Sequence, residues 1–142
     1  MVSPISSEDE GRMFLIDSSL WIDYFRPRGS ATIKNRIRQI LQEDQALICG
    51  VILVEVLRGA KNDKEYSILL ESFASLPQIP FNRETFERAS NWAFRLDRKG
   101  KIASTVDLLI ASASYERASL LHNDSDYEMI AGEVPLRQER IR

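Results

Sequence analysis

Five carboxylates are placed where they could do chemistry. Asp17 closes the apolar run Met13 to Ile16 within MFLIDSSLWIDYF. Glu55 interrupts the otherwise apolar VILVEVL. Asp107 opens VDLLIASA, and Asp124 and Asp126 follow the apolar segment Ala118 to Leu121 in HNDSDY. A carboxylate inside an apolar run must be paired, metal-bound or neutralised, because burying it bare is costly. Several packed together cannot all stay ionised without a cation. Hard oxygen donors without cysteine or a second histidine select Mg2+ or Mn2+ over zinc. The single Cys49 and single His122 leave neither a zinc site nor a histidine-based triad with its usual residues. One or two such cations can lower the pKa of a bound water and stabilise the attacking and leaving oxygens of a phosphodiester displacement.

Each acid also has an ordinary explanation. Asp17 can cap the helix that starts at Ser18. Glu55 can pair with Arg58 one turn on. Asp107, in a first helical turn, suits the helix dipole whatever its function. Asp124 and Asp126 can serve turn and cap chemistry. These explanations are independent of one another, so convergence of all the acids on one end of a sheet points to a site. Arg98, Lys99 and Lys101 read two ways, as a basic helix C-terminus or as phosphate contacts beside Asp107.

The elements that must position these residues alternate. Met13 to Ile16 suits a strand buried on both faces. Ser18 to Phe25 reads as a helix, broken at Arg26-Pro27-Arg28-Gly29. Ser30 can cap the next helix, with Ile33, Ile37, Ile40 and Leu41 on one face. A short strand over Ala46 to Cys49 and a helix over Gly50 to Ala60 follow. Asp63 is a candidate cap for a helix that turns Tyr66, Leu69, Leu70 and Phe73 inward. Leu76 to Ile79 is a weak strand, and Pro77 makes it an edge. Asn82 caps a helix striped with Phe86, Ala89, Ala93 and Leu96, with Trp92 beside it and Gly100 as its stop. Thr105 is the expected cap of a buried helix carrying Asp107. Ala118 to Leu121 is a strand, Tyr127 to Ala131 a short helix, and Val134 to Leu136 a further strand. Such alternation predicts an α/β domain on a central parallel sheet of four to five strands. In open sheets of this kind ligands lie outside the carboxyl ends of the strands.

Composition sets the outer bounds. At 142 residues the chain fits one domain with a real core. Its 44% hydrophobic content is that of a folded protein rather than a disordered one. A net charge of -2 gives no global basic signature of nucleic-acid binding, but an acidic pocket would lower the total even with basic residues along a substrate path. The lone Cys49 excludes an intrachain disulfide and fits the reducing cytoplasm. No apolar stretch approaches the ~20 residues of a membrane span. Residues 1–12 read as a flexible leader, with Met13 an equally good natural start, and residues 13–142 as the domain.

LIDSSLWIDYF, VEVLRGA, DRKGKIASTVDLLIAS and LLHNDSDYEMIA resemble, in order and spacing, the four motifs of PIN-domain ribonucleases. Among these the chain is most similar to VapC-type toxins of type II toxin–antitoxin pairs, from Met13 to the C-terminus. The resemblance implies a three-layer α/β/α sandwich, a Mg2+- or Mn2+-dependent endoribonuclease, a homodimer and a cognate VapB-like antitoxin. Carried over by motif, Asp17, Glu55 and Asp107 match the family acids. The fourth falls at Asp124 or Asp126, and Asp124 is preferred for metal contact because it lies nearer the strand end. Asp17 and Asp107 would bind the principal cation, with Glu55 and Asp124 completing the cluster. A cation-activated water would attack the scissile phosphate and leave a 5′-phosphate and a 3′-hydroxyl. Ser18 or Ser19 matches the hydroxyl that follows the first acid, and Arg98, Lys99 and Lys101 would position the RNA backbone. The resemblance suggests transfer RNA first as substrate and leaves messenger and ribosomal RNA open. Tyr127 stands where the motif commonly has Phe, and His122 where Thr is common, with no catalytic role assigned to it.

Other acid-rich α/β proteins fit less well. A receiver-like phosphoacceptor domain wants two adjacent acids closing the first strand and a lysine closing the last. A haloacid-dehalogenase-type phosphatase wants Asp-x-Asp after the first strand, where this chain reads Asp17-Ser18-Ser19. A catalytically silent PIN-like scaffold binding RNA or protein is the alternative, and it would typically have lost an acid that is present here.

Overall fold

The computed structural model describes residues 12–115 and 117–142. All but the last residue of the expected leader, 1–12, lies outside them. The first strand, β1 (Phe14–Ile16), is followed by α1 (Ser18–Phe25) and α2 (Ala31–Gln42). Next come β2 (Ala46–Leu47), α3 (Gly50–Leu57), α4 (Asp63–Ala74) and α5 (Arg83–Arg98). The chain closes with α6 (Thr105–Ser114), β3 (Ser119–His122), α7 (Ser125–Ala131) and β4 (Gln138–Arg140). The four strands form one parallel sheet in the order β2-β1-β3-β4, flanked by the helices.

That order puts a switch point between β1 and β3. The chain leaves β1 towards β2 on one side, while β3 and β4 build outward on the other. In open α/β sheets the crevice at such a point is where ligands bind. β1 can occupy the middle because Phe14, Leu15 and Ile16 are buried on both faces, as their unbroken apolar run predicts.

Amphipathic helices cover the sheet. Ile33, Ile37 and Ile40 of α2 face the core at the expected spacing, and Ser30 caps that helix by accepting from the Ile33 amide. Trp21 of α1 stacks edge-on against Phe73 of α4, ring centroids 5.0 Å apart. Asn82 and Thr85 form a reciprocal capping box at the start of α5. Gly100 ends α5 in the left-handed region at φ 72°. The Lys101 amide reaches the Leu96 carbonyl and the Gly100 amide that of Asp97, the paired closure of a Schellman motif. No helix of the described residues is long and apolar enough to cross a membrane.

Several expected boundaries move. The cap of α4 is Asn62, not Asp63, because the Asn62 side chain accepts from the Glu65 amide. The cap of α6 is Ser104, not Thr105. Leu76 to Ile79 supplies only an isolated parallel bridge, Ile48 to Gln78, since Pro77 and Pro80 flank the one rung. The last strand is polar Gln138–Arg140 rather than Val134 to Leu136. It pairs with β3 by backbone, and its side chains reach polar partners on neighbouring elements. Tyr66, Leu70 and Phe86, expected inside, are exposed.

Candidate metal centre

Asp17 is the first residue past β1, and its amide donates to the Leu121 carbonyl at 2.9 Å. It stands at the cap position of α1, yet its side chain makes no capping bond. The carboxylate turns inward instead and is only 7% exposed. Its Oδ1 accepts from the Tyr127 hydroxyl at 3.2 Å, and its Oδ2 lies 3.4 Å from Ser19 Oγ. Burial pushes its pKa up to about 6, against a smaller lowering by the Ser18 amide, and the charges of Glu55 and Asp107 push the same way as burial.

Asp107 comes from the first turn of α6, where its amide donates to Ser104 Oγ at 3.0 Å. Its Oδ1 also meets the Tyr127 hydroxyl at 3.2 Å. Burial raises its pKa, the Ser104 bond lowers it, and the charge of Asp124 raises it. Glu55 lies on α3, which packs on α1 and α6. Its Oε1 is buried and accepts no hydrogen bond. The expected partner Arg58 is exposed, and no ion pair joins the two among the described residues.

Asp124 caps α7 by accepting from the Asp126 amide at 2.8 Å, so its ordinary role is real. That role still leaves it in the cluster. Asp107, Asp124 and Asp126 each present an oxygen within 4.8 Å of the others. Both candidates for the fourth acid are therefore present at the same place.

The five acids come from the end of β1, from α3, from α6 and from the start of α7, and none of them is in the ion pairs seen among the described residues. Those ion pairs go to Glu84, Glu87, Glu128, Glu133 and Glu139 instead. An orphaned buried carboxylate oxygen among like charges is what a hard divalent cation would satisfy. The donor set is all oxygen, which fits Mg2+ or Mn2+.

The basic residues behave differently. Arg98 lies 3.9 Å over the Phe94 ring. Lys99 meets Glu133 at 2.5 Å, and Lys101 bonds the other oxygen of the same carboxylate. Those two lysines hold the Glu133 carboxyl down at about 2. Ser18 is half-buried and Ser19 exposed, at the rim beside Asp17.

Two residues carry more than sequence reasoning assigns. Tyr127 is fully buried and touches two of the acids; an O–H where bulk alone would suffice is the available signal. His122 accepts the Asp124 amide on Nδ1 at 3.0 Å and meets Gln138 Oε1 through Nε2 at 2.6 Å. With Nδ1 an acceptor, Nε2 carries the proton and donates to Gln138. Burial lowers its pKa and keeps it neutral in that role. Its partners lie in the turn and in β4, and neither can be read from local spacing.

The PIN domain family matches residues 14–133. The ribonuclease VapC11 of Mycobacterium tuberculosis is 33% identical over 124 residues, which span 84% of this chain and 92% of that protein. Among solved structures, VapBC2 from Rickettsia felis bound to a DNA fragment from its promoter has a chain that matches with TM-score 0.75. That match has 20% identity and covers 92% of this chain and 99% of the other. A toxin–antitoxin complex from Klebsiella pneumoniae matches with TM-score 0.66 at 22% identity, covering 87% and 98%. The structural matches speak to the fold, and the sequence matches place the protein within it: the chain belongs to the PIN-domain family, among the VapC ribonucleases.

Proposed function

We propose that the protein is a Mg2+- or Mn2+-dependent endoribonuclease that acts as a toxin and is restrained by a cognate VapB-like antitoxin. The observation that carries this reading is the convergence of five carboxylates, one with an orphaned buried oxygen, outside every ion pair seen among the described residues. Asp17, Asp107, Glu55 and Asp124 would hold the cation, with Asp126 beside Asp124 in the same group. A bound cation would supply charge neutralisation for a phosphate and would lower the pKa of a water bound to it.

The chain's own residues do the rest. Asp17 is fixed by its backbone bond to β3, and Asp107 by its bond to the α6 cap. The Tyr127 hydroxyl lies within hydrogen-bond reach of both carboxylates. The Ser18 and Ser19 hydroxyls stand at the rim, where they can orient water or a phosphate oxygen. Arg98, Lys99 and Lys101 would contact the RNA backbone without reading sequence. For the two lysines, that contact exchanges the Glu133 carboxylate for a phosphate. The cleaved strand would carry a 5′-phosphate and a 3′-hydroxyl. Transfer RNA leads as substrate, and the setting is a cytoplasmic homodimer. The antitoxin is supported by the toxin–antitoxin complex among the solved neighbours.

The test is cleavage of a mixed RNA pool by antitoxin-free protein, with Mg2+, with Mn2+ and with EDTA, beside Asp17→Asn. Cutting that needs the cation and disappears in the variant supports the reading. Full cutting by Asp17→Asn sinks the site assignment. Folded protein that cuts in no lane but still binds RNA moves the weight to a silent binding scaffold.

A further inference from the structure

We propose that the Tyr127 hydroxyl is a positioning group for the acidic centre, bridging Asp17 and Asp107 so that the pair is set to take a divalent cation. The inference rests on the reading of the acids as a cation site. The bridge is direct: one hydroxyl stands 3.2 Å from Asp17 Oδ1 and 3.2 Å from Asp107 Oδ1. The ring behind it is wholly buried and lies 4.9 Å, centroid to centroid, from the His122 ring. The hydroxyl therefore has little freedom to leave.

Two like-charged carboxylates that face each other repel. Unrestrained, they relieve the repulsion by turning apart, and that rearrangement must be undone before one ion can engage both. A phenol between them offers one proton, shared in alternation, and a charge-assisted bond to whichever oxygen receives it. Both side chains are thereby kept convergent in the cation-free protein. The hydroxyl does not fill the site, because Asp17 Oδ2 and the orphaned Glu55 Oε1 take no part in the bridge. Groups that hydrogen-bond metal ligands in this manner commonly alter metal affinity by about 10–100-fold when removed.

A phenylalanine would fill the same core slot and omit the bridge. Tyr127→Phe thus separates packing from positioning. The measurement is Mn2+ binding by calorimetry to wild type, Tyr127→Phe and Asp107→Asn, with circular dichroism on each and no RNA present. Wild type should bind Mn2+ and Asp107→Asn should lose that binding. Tyr127→Phe, folded as wild type, should bind about tenfold more weakly. Equal or tighter binding by Tyr127→Phe overturns the positioning role while leaving the cation site intact. A Tyr127→Phe protein that does not fold also overturns it, since the hydroxyl would then hold the fold. No Mn2+ binding by wild type overturns the cation site and the positioning role together.

Discussion

The acidic centre and the basic corner at the end of α5 are close in sequence and opposite in design. In the centre, half-buried acids gather around the buried Asp17, and one buried Glu55 oxygen accepts no hydrogen bond from the described residues. At the corner, two lysines share one glutamate and an arginine lies over a phenylalanine, all at the surface. The corner is electrostatically complete as it stands, and the centre is not. Burying a carboxylate oxygen without a partner is costly, and a bound cation would offset that cost. A run of surface charge, once its partners are found, carries no such cost.

The largest effect should come from completing the centre wrongly. Asp107→Asn replaces a charged donor with a neutral amide and should reduce RNA cleavage by at least about 100-fold, on the scale of losing one charge-stabilising group in a catalytic site. Wild-type rates in this variant would leave Asp107 as a first-turn acid that suits the α6 dipole and nothing more.

Next in size is a dependence of stability on pH. Asp17 holds its proton more tightly folded, near pH 6, than at its ordinary value of 3.8. Between those values the folded state binds more protons than the unfolded chain, so stability falls as pH rises through that window. The loss attributable to Asp17 is of order 3 kcal/mol. Thermal melts of cation-free protein should therefore show a steeper decline with pH in wild type than in Asp17→Asn. His122, whose pKa shift runs the other way, is common to both proteins and drops out of the difference. Identical slopes would mean that Asp17 carries no such strain.

The corner offers smaller effects. Gly100→Ala places a side chain at φ 72° and should destabilise the protein by about 1 kcal/mol, measured by urea unfolding. Lys99→Ala with Lys101→Ala tests whether the corner ever leaves Glu133. If each lysine trades the carboxylate for a phosphate, the salt slope of RNA binding should shrink by about one for each lysine replaced. An unchanged slope would reduce the corner to a helix terminus.

What the sequence reveals and what it hides divide along the same line. Asp17 is visible because an apolar run ends on it, and the buried strand behind it forms as its composition requires. Glu55 is visible as a charge inside an apolar run, and Gly100 as a helix stop. The last strand falls elsewhere than its apolar neighbours suggest because Gln138–Arg140 owes its pairing to distant partners, among them His122 and Glu128. Apolar content marks a core strand, whereas an edge strand needs only a ladder and something to bond at its sides. Lys99 and Lys101 look available because Glu133 lies more than thirty residues further on. Tyr127 looks like filler because an aromatic ring is all that local pattern demands. In each case the hidden information is a partner distant in sequence.

The amide of Asp17 is the last rung joining β1 to β3. The backbone that carries this carboxylate is continuous with the middle of the sheet. Moving that backbone would mean breaking into the central strand pair, so the carboxylate can shift only by rotation of its own side chain, against its bond from Tyr127. A scaffold this fixed sets where the carboxylate sits and leaves only its last two bonds free to aim it.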